Sequence, residues 1–275
     1  PLARDALKTA LLALGFTEPL MIEAGLLVAG EAGRPPFDRF RDRVMFPIAD
    51  VRGRVVGFGA RALGDAKPKY LNSPETALFS KGRLLYGIDR AQPEARKARS
   101  VIVAEGYMDV LALVRAGFAH AVAPLGTAVT EDQLRLLWRL ADEPVLCLDG
   151  DDAGLRAAAR VAERALPLLQ PGRSLRFALL PAGEDPDSLL QRQGAAAVAA
   201  ALARPVPLAD FLWWLESRSG LPATPERRAA LESRLRTLVR TIADPSVRGH
   251  YAQAFRERME AAGLARTRTS KPSAT

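Results

Sequence analysis

Three short apolar runs, each emptying into carboxylates, constrain this 275-residue chain more than any other feature. Residues 101–109 read Val-Ile-Val-Ala-Glu-Gly-Tyr-Met-Asp, and residues 145–152 read Val-Leu-Cys-Leu-Asp-Gly-Asp-Asp. Residues 175–187 run from Leu-Arg-Phe-Ala-Leu-Leu through Pro-Ala-Gly to Glu-Asp-Pro-Asp. Such runs are too short for helices and suit parallel strands buried on both faces. In open α/β sheets ligands gather at the carboxyl ends of the strands, so three acidic strand ends on one sheet converge.

The surrounding pattern alternates. Strand 101–105, helix about 108–116 closed by Gly117, strand 120–123 and helix 131–140 follow one another, the last begun by the capping-box pair Thr130 and Gln133. Then come strand 144–148, helix 153–169 stopped near Pro171-Gly172, and strand 175–180. This order predicts an α/β fold, a mainly parallel sheet flanked by helices. Upstream, two short helices are expected, Asp5 to Leu14 with Gly15 as C-cap and about Pro19 to Ala24 with Thr17 as N-cap. A hairpin about Asp50-Val51-Arg52-Gly53 follows within Val44 to Leu63, with close backbone approach or a bulge at Gly57 and Gly59. Residues 64–83 read as loop. Beyond Ser188 the pattern is helical, with an alanine-rich stretch at 195–203 and helices about Ala209 to Arg218, 225–242 and 245–262. The chain therefore divides into a smaller basic α+β part at 1–99, an α/β domain at 100–190, a helical subdomain at 191–263 and a disordered tail at 264–275.

Composition excludes several classes. No apolar stretch reaches the length of a membrane span and the first residues lack a signal-peptide layout, which predicts a cytoplasmic protein without a membrane partner. The single cysteine, Cys147, lies within an apolar run, so neither a disulfide framework nor a cysteine-based zinc site is expected. A GxxxxGK[ST] loop and a GxSxG elbow are both absent, against P-loop and serine-hydrolase chemistry. The formal charge is +8, and Arg34, Arg39, Arg41, Arg43, Arg52, Arg54, Arg61, Lys67, Lys69, Lys81 and Arg83 crowd the first third. A basic surface beside an acidic pocket suits a polyanionic partner. His120 and His250 are isolated, and Trp138, Trp213 and Trp214 fall at helical positions that read as packing.

Asp149 and Asp151 stand two apart in extended chain, so their side chains share a direction, and Gly150 lets a phosphate or metal approach the backbone. Asp185 and Asp187 repeat the spacing, and Glu105 with Asp109 spans a strand-to-helix turn. Like charges this close recruit a cation or raise a pKa, which points to oxygen ligands for a divalent metal. The competing reading is that Asp151 or Asp152 caps the helix from Ala153 and Asp109 occupies a helical first turn.

Glu105-Gly106-Tyr107-Met108-Asp109 followed by Asp149-Gly150-Asp151 resembles the TOPRIM signature shared by primases, topoisomerases and several nucleases. Residues 38–48, Gly57 to Arg61, Pro68 to Thr76, Lys81-Gly82-Arg83 and Leu85-Tyr86-Gly87 resemble the RNA polymerase domain of bacterial DNA primases of the DnaG type. The resemblance runs almost from the start to about residue 190, with a weaker helical continuation to about 263. It implies synthesis of short RNA primers for replication on a single-stranded DNA template, from ribonucleoside triphosphates, by two-metal transfer with Mg2+ or Mn2+. By motif, Glu105, Asp149 and Asp151 are then the principal catalytic metal ligands, and Asp109, Asp185 and Asp187 complete the pocket. Arg43, Arg61, Lys69, Tyr70, Asn72 and Lys81 form the side that meets triphosphate and nucleic acid. The family's zinc-binding and helicase-docking domains are not in these residues and the start falls inside the polymerase domain, so the chain reads as a fragment. Template-sequence choice and docking of the replicative helicase are not expected of it alone. The alternatives are a TOPRIM nuclease or topoisomerase, which would need a nucleophile among Tyr70, Tyr86, Tyr107 and Tyr251, and a non-catalytic nucleic-acid-binding fragment.

Overall fold

A five-stranded sheet built from the middle of the chain carries the acidic segments, and a separate three-stranded sheet faces it from the N-terminal side. The computed structural model describes residues 5–264 except 32 and 127. Helices α1 (Ala6–Ala13) and α2 (Glu18–Glu23) lie where the sequence predicts them, with Gly15 at φ +87° just past the end of α1 and Thr17 extended before α2. Helix α1 buries none of its residues and its own N-cap makes no side-chain bond. The fully buried Asp38 caps it instead, accepting from the amides of Leu7 and Lys8 at 2.8 and 2.9 Å. Asp38 belongs to a two-residue ribbon of β1 (Leu27–Val28) and β2 (Phe37–Asp38).

Strands β3 (Arg43–Ala49) and β4 (Val55–Ala62) form the expected antiparallel hairpin. Its turn is held by Asp50, whose carboxylate accepts from the Arg52 and Arg54 amides and pairs with the Arg54 guanidinium. Within the segment expected as loop, β5 (Tyr70–Asn72) adds a third strand to β4, in the register Gly59 to Asn72 and Arg61 to Tyr70. Three residues leave no alternation to read, so only the neighbouring strand reveals it. Helix α3 (Ile88–Ala98) also escaped the sequence reading, because Pro93 sits inside it and proline ordinarily breaks a helix.

The chain then alternates through β6 (Ile102–Val103), α4 (Tyr107–Arg115), β7 (Ala121–Val122), α5 (Glu131–Leu137), β8 (Val145–Leu148), α6 (Asp152–Ala165) and β9 (Arg176–Leu179). The capping box of Thr130 and Gln133 forms as expected at the start of α5. Helix α7 (Pro186–Leu202) begins close to the expected start at Ser188, carries the alanine-rich stretch and is kinked at Gly194, with φ +79°. Strand β10 (Val206–Pro207) closes the sheet, whose order is β10-β9-β8-β6-β7, with all neighbours parallel except β10. The three acidic strands β6, β8 and β9 are therefore adjacent.

Side chains alternate across this sheet between two cores. Val103, Leu146, Leu148 and Phe177 face one in which α5, α6 and the C-terminal helices α8 (Leu208–Ser217), α9 (Pro225–Thr241) and α10 (Pro245–Ala261) pack. Phe211 of α8 stacks on Phe177 at 4.0 Å. Ile102, Val145, Cys147 and Ala178 face the other, which takes in α4, α7 and also Phe46, Ile48 and Phe79 from the N-terminal part. Cys147 is a buried packing residue. Trp138 is buried, its indole donating to the Ser174 carbonyl, whereas Trp214 is 40% exposed and so departs from the expected packing role. Leu264, the first residue of the expected disordered tail, is buried and its amide bonds to Met259; residues 265–275 lie outside the described residues. Among the described residues no helix is long and apolar enough to cross a membrane.

Candidate active site

The acidic strand ends meet in one cleft of about 460 Å³. Glu105 follows β6 and its Oε1 accepts from the Asp149 amide at 3.1 Å, which ties the end of β6 to the end of β8. Asp109, on the first turn of α4, accepts from the Gly106 amide at 3.0 Å, and Asp185 caps α7 by accepting from the Ser188 amide at 2.6 Å. Each carboxylate thus has one oxygen fixed by backbone. Glu105, Asp109, Asp149, Asp185 and Asp187 all line the cleft.

Asp151 is placed differently. Its Oδ1 caps α6 by accepting from the Gly154 amide at 2.7 Å, and it lines a mainly apolar cavity of about 320 Å³ with Leu155, Phe177 and Trp214. Asp149 borders both spaces. The capping alternative therefore holds for Asp151 as well as any role toward metal. Gly150 is required for another reason than the expected ligand approach: a Cβ there would stand 2.0 Å from the Pro181 carbonyl oxygen. Neighbouring backbone, not a phosphate, occupies that space.

Electrostatics make the cluster cation-seeking. Burial pushes Asp149 up to about 7, with repulsion from Glu105, Asp109, Asp185 and Asp151 adding to it. Burial likewise raises Asp109 to about 7, reinforced by Asp185, Glu105 and Asp187 and opposed by the Gly106 amide. Asp149 Oδ1 is buried and has no hydrogen-bond partner among the described residues. No group of three acidic, histidine or cysteine side chains among the described residues is already arranged as an ion cage. The donor set nevertheless fits a hard divalent cation: carboxylate oxygens, an orphaned one among them, with mutual repulsion that such an ion would relieve.

Arg61, Lys69, Tyr70 and Asn72 line the opposite wall. The Lys69 ammonium stands 6.0 Å from the centre of the Tyr70 ring, which is 41% exposed, and the buried Nε of Arg61 has no partner among the described residues. Asn72 faces the cleft with its amide engaged, accepting from the Tyr107 hydroxyl at 2.6 Å and donating to the Leu125 carbonyl at 3.1 Å. Arg43 and Lys81 do not line it. Arg43 donates to the Pro68 and Lys69 carbonyls and so braces the approach to β5, and the Lys81 carbonyl is held by the buried Gln133 at 2.9 Å.

Tyr107, a candidate nucleophile in the topoisomerase alternative, has a packing role instead. Its ring stacks on Phe46 at 5.0 Å and meets Tyr86 edge-on at 4.7 Å, and it fills the space where a Cβ on Gly59 would come within 2.4 Å. It thereby joins the basic wall to the acidic sheet. Gly59 was the available signal, since it does mark a close approach, as does Gly57 against Phe79.

Residues 1–92 match the family described as DNA primase catalytic core, N-terminal domain, and residues 99–178 match the Toprim domain. A DNA primase domain from Pseudomonas aeruginosa superposes with a TM-score of 0.85 at 44% identity, covering 96% of this chain and 81% of that one. The chain belongs to the DNA primase catalytic-core family, with a Toprim domain. A second core of this family, a DnaG primase catalytic domain bound to ssDNA, matches with a TM-score of 0.83 and 41% identity over 96% of this chain and 80% of that one. The DNA primase of Escherichia coli (strain K12) is 46% identical over 237 residues, 85% of this chain. The chain spans 40% of the length of that curated primase. Membership of the primase core family confirms the expected Toprim-type α/β fold.

Proposed function

We propose that this cleft joins ribonucleoside triphosphates into short RNA primers on single-stranded DNA. One observation carries the reading: in a primase catalytic core, five carboxylates with raised pKa values among them face Arg61, Lys69 and Tyr70 across a single cleft. The relative solved with ssDNA supports a single-stranded template. Glu105, Asp149 and Asp151 would be the principal ligands of Mg2+ or Mn2+, with Asp109, Asp185 and Asp187 around them; for Asp151 this uses the oxygen not committed to α6. When bound, a divalent metal supplies charge stabilisation for the attacking and leaving oxygens. The backbone bonds to Glu105, Asp109 and Asp185 hold their carboxylates in orientation beforehand, so little reorganisation is left to the reaction. Lys69 and Arg61 offset charge on the triphosphate, and Tyr70 offers an exposed ring to a base. Arg43 and Lys81 extend the basic side outside the cleft. The same reading assigns 1–99 to the basic part, 100–190 to the Toprim-type catalytic domain and 191–263 to the helical subdomain. Support for a change near the last boundary comes from the kink of α7 at Gly194.

The topoisomerase reading is weakened at the tyrosines. The Tyr107 hydroxyl is engaged by Asn72 and burial raises its pKa, and Tyr86 is buried. The deciding experiment incubates the chain with labelled ribonucleotides, single-stranded DNA and Mg2+ or Mn2+, scoring RNA synthesis, nicking and binding separately. Metal-dependent RNA products without nicking are expected; nicking without RNA would replace this reading with the nuclease, and binding alone with the non-catalytic fragment.

A further inference from the structure

We infer that Glu184, clamped by Ser188 and Arg192, is a positioning residue that sets the spacing between the acidic ends of β8 and β9. The inference rests on the metal-dependent reading of the cleft. Glu184 lies in the turn between β9 and α7, is buried, and does not line the cleft. Its Oε2 accepts from the Ser188 hydroxyl at 2.5 Å and its Oε1 from the Arg192 guanidinium at 3.1 Å.

A hydroxyl has a single proton. Two acceptors lie in its reach, the Asp185 carbonyl at 3.1 Å and the charged Glu184 Oε2 at 2.5 Å, and the closer carboxylate takes it. The Ser188 oxygen is left to accept from the Asp185 amide at 2.9 Å, while the Ser188 amide donates to Asp185 Oδ1 at 2.6 Å. Glu184 therefore orients Ser188, and Ser188 orients the Asp185 carboxylate. The same turn is fastened to the end of β8. The Gly150 amide donates to the Glu184 carbonyl and the Gly183 amide to the Gly150 carbonyl, both at 2.8 Å, and Pro181 leaves Gly150 no room for a side chain. Displacing Glu184 shifts Asp149 and Asp185 against each other. The Arg192 side chain is 69% exposed, so its ion pair is screened; its contribution is to keep a buried carboxylate from standing uncompensated.

Partners bonded directly to metal ligands change metal affinity by about 10- to 100-fold, and Glu184 acts one bond further out, through Ser188. The test titrates Mn2+ into the 275-residue chain and into its E184A, E184Q, R192A and R192K variants, reading the Mn2+ concentration for half-maximal rise in melting temperature. Far-ultraviolet circular dichroism reports folding. E184A should raise that concentration by up to about tenfold, the lower end of that range because it acts through Ser188, and R192A by a smaller factor because its ion pair is screened. R192K should restore most of that smaller loss, and RNA synthesis should return toward the wild-type rate at saturating Mn2+. E184Q keeps the side-chain shape and carries the test if E184A does not fold. The control R236A, which breaks the exposed pair with Glu232 on α9, should match wild type. Folded Glu184 and Arg192 variants with the wild-type Mn2+ midpoint would overturn the inference. A wild-type chain that shows no Mn2+ response at all would instead overturn the metal-dependent reading beneath it.

Discussion

Asp149 concentrates the chemistry of the cleft in one side chain: a buried oxygen without a partner among the described residues, four other carboxylates in the same cleft, and a pKa raised to about 7. Replacing it with Asn keeps the shape and removes the charge. D149N should reduce nucleotidyl transfer by at least about 100-fold, as loss of a principal electrostatic group commonly does. The variant should stay folded, and in metal-chelating buffer its melting temperature should rise by about 2–4 °C, the shift that about 1 kcal/mol produces in a chain of this size. The pH dependence has a definite sign. Asp109 and Asp149 hold their protons more tightly in the fold than an unfolded aspartate of pKa about 3.9, so the metal-free chain binds excess protons between that value and about 7. Their contribution therefore makes stability fall as pH rises through that window, and saturating Mg2+ should flatten the fall. Melting temperatures from pH 4 to 8 should show a steeper metal-free decline for wild type than for D149N; parallel curves would contradict the raised pKa of Asp149. On the opposite wall, Lys69→Ala should weaken triphosphate and single-stranded DNA binding and lower the salt slope by about one. Lys81→Ala, outside the cleft, should affect triphosphate binding less, and filter-binding titrations at two salt concentrations separate the two.

Between elements, the contact that matters most is the one at Gly59, where β4 passes directly against the Tyr107 ring of α4. A methyl group cannot be accommodated without moving the ring away from Phe46 and Asn72. Gly59→Ala should cost about 1–3 kcal/mol by overpacking, read as a lower urea midpoint, and should reduce triphosphate affinity because β5 and its Tyr70 and Asn72 move with the ring. An unchanged midpoint would show that the N-terminal sheet and the Toprim-type sheet are not locked there. Much at this scale was legible in the sequence: the hairpin at Asp50–Gly53, the capping box at Thr130, and the three acidic strands themselves follow from turn chemistry and local periodicity, whereas their sheet order, with β7 outside β6, does not. What escaped was set by neighbours. Strand β5 exists through its pairing with β4, α3 tolerates Pro93, and Gly150 answers to the Pro181 carbonyl supplied by a turn more than thirty residues on. Asp151 shows the same limit, since a two-residue spacing in sequence did not reveal that one of its oxygens is committed to α6.

Across the whole molecule, two cores on opposite faces of one sheet hold three acidic strand ends beside a basic wall from another sheet. The core away from that wall is centred on Phe177 against Phe211, and Phe177→Ala should cost about 3–5 kcal/mol in chemical denaturation. Of the residues that sequence motifs assigned to the site, Glu105, Asp109, Asp149, Asp185 and Asp187 reach the cleft together with Arg61, Lys69, Tyr70 and Asn72, whereas Asp151 turns to cap α6 beside the neighbouring cavity and Arg43 and Lys81 lie outside because their strand and loop are braced elsewhere. In the proposed function this cleft copies a single-stranded template into RNA with divalent metal. That copying is tested most directly by supplying one labelled ribonucleotide at a time on homopolymeric single-stranded DNA templates, with Mn2+ or with chelator, for wild type and D149N. Incorporation only of the nucleotide complementary to the template, requiring Mn2+ and lost in D149N, is the expected result. Incorporation that ignores the template, or persists at the wild-type rate in D149N, would contradict it.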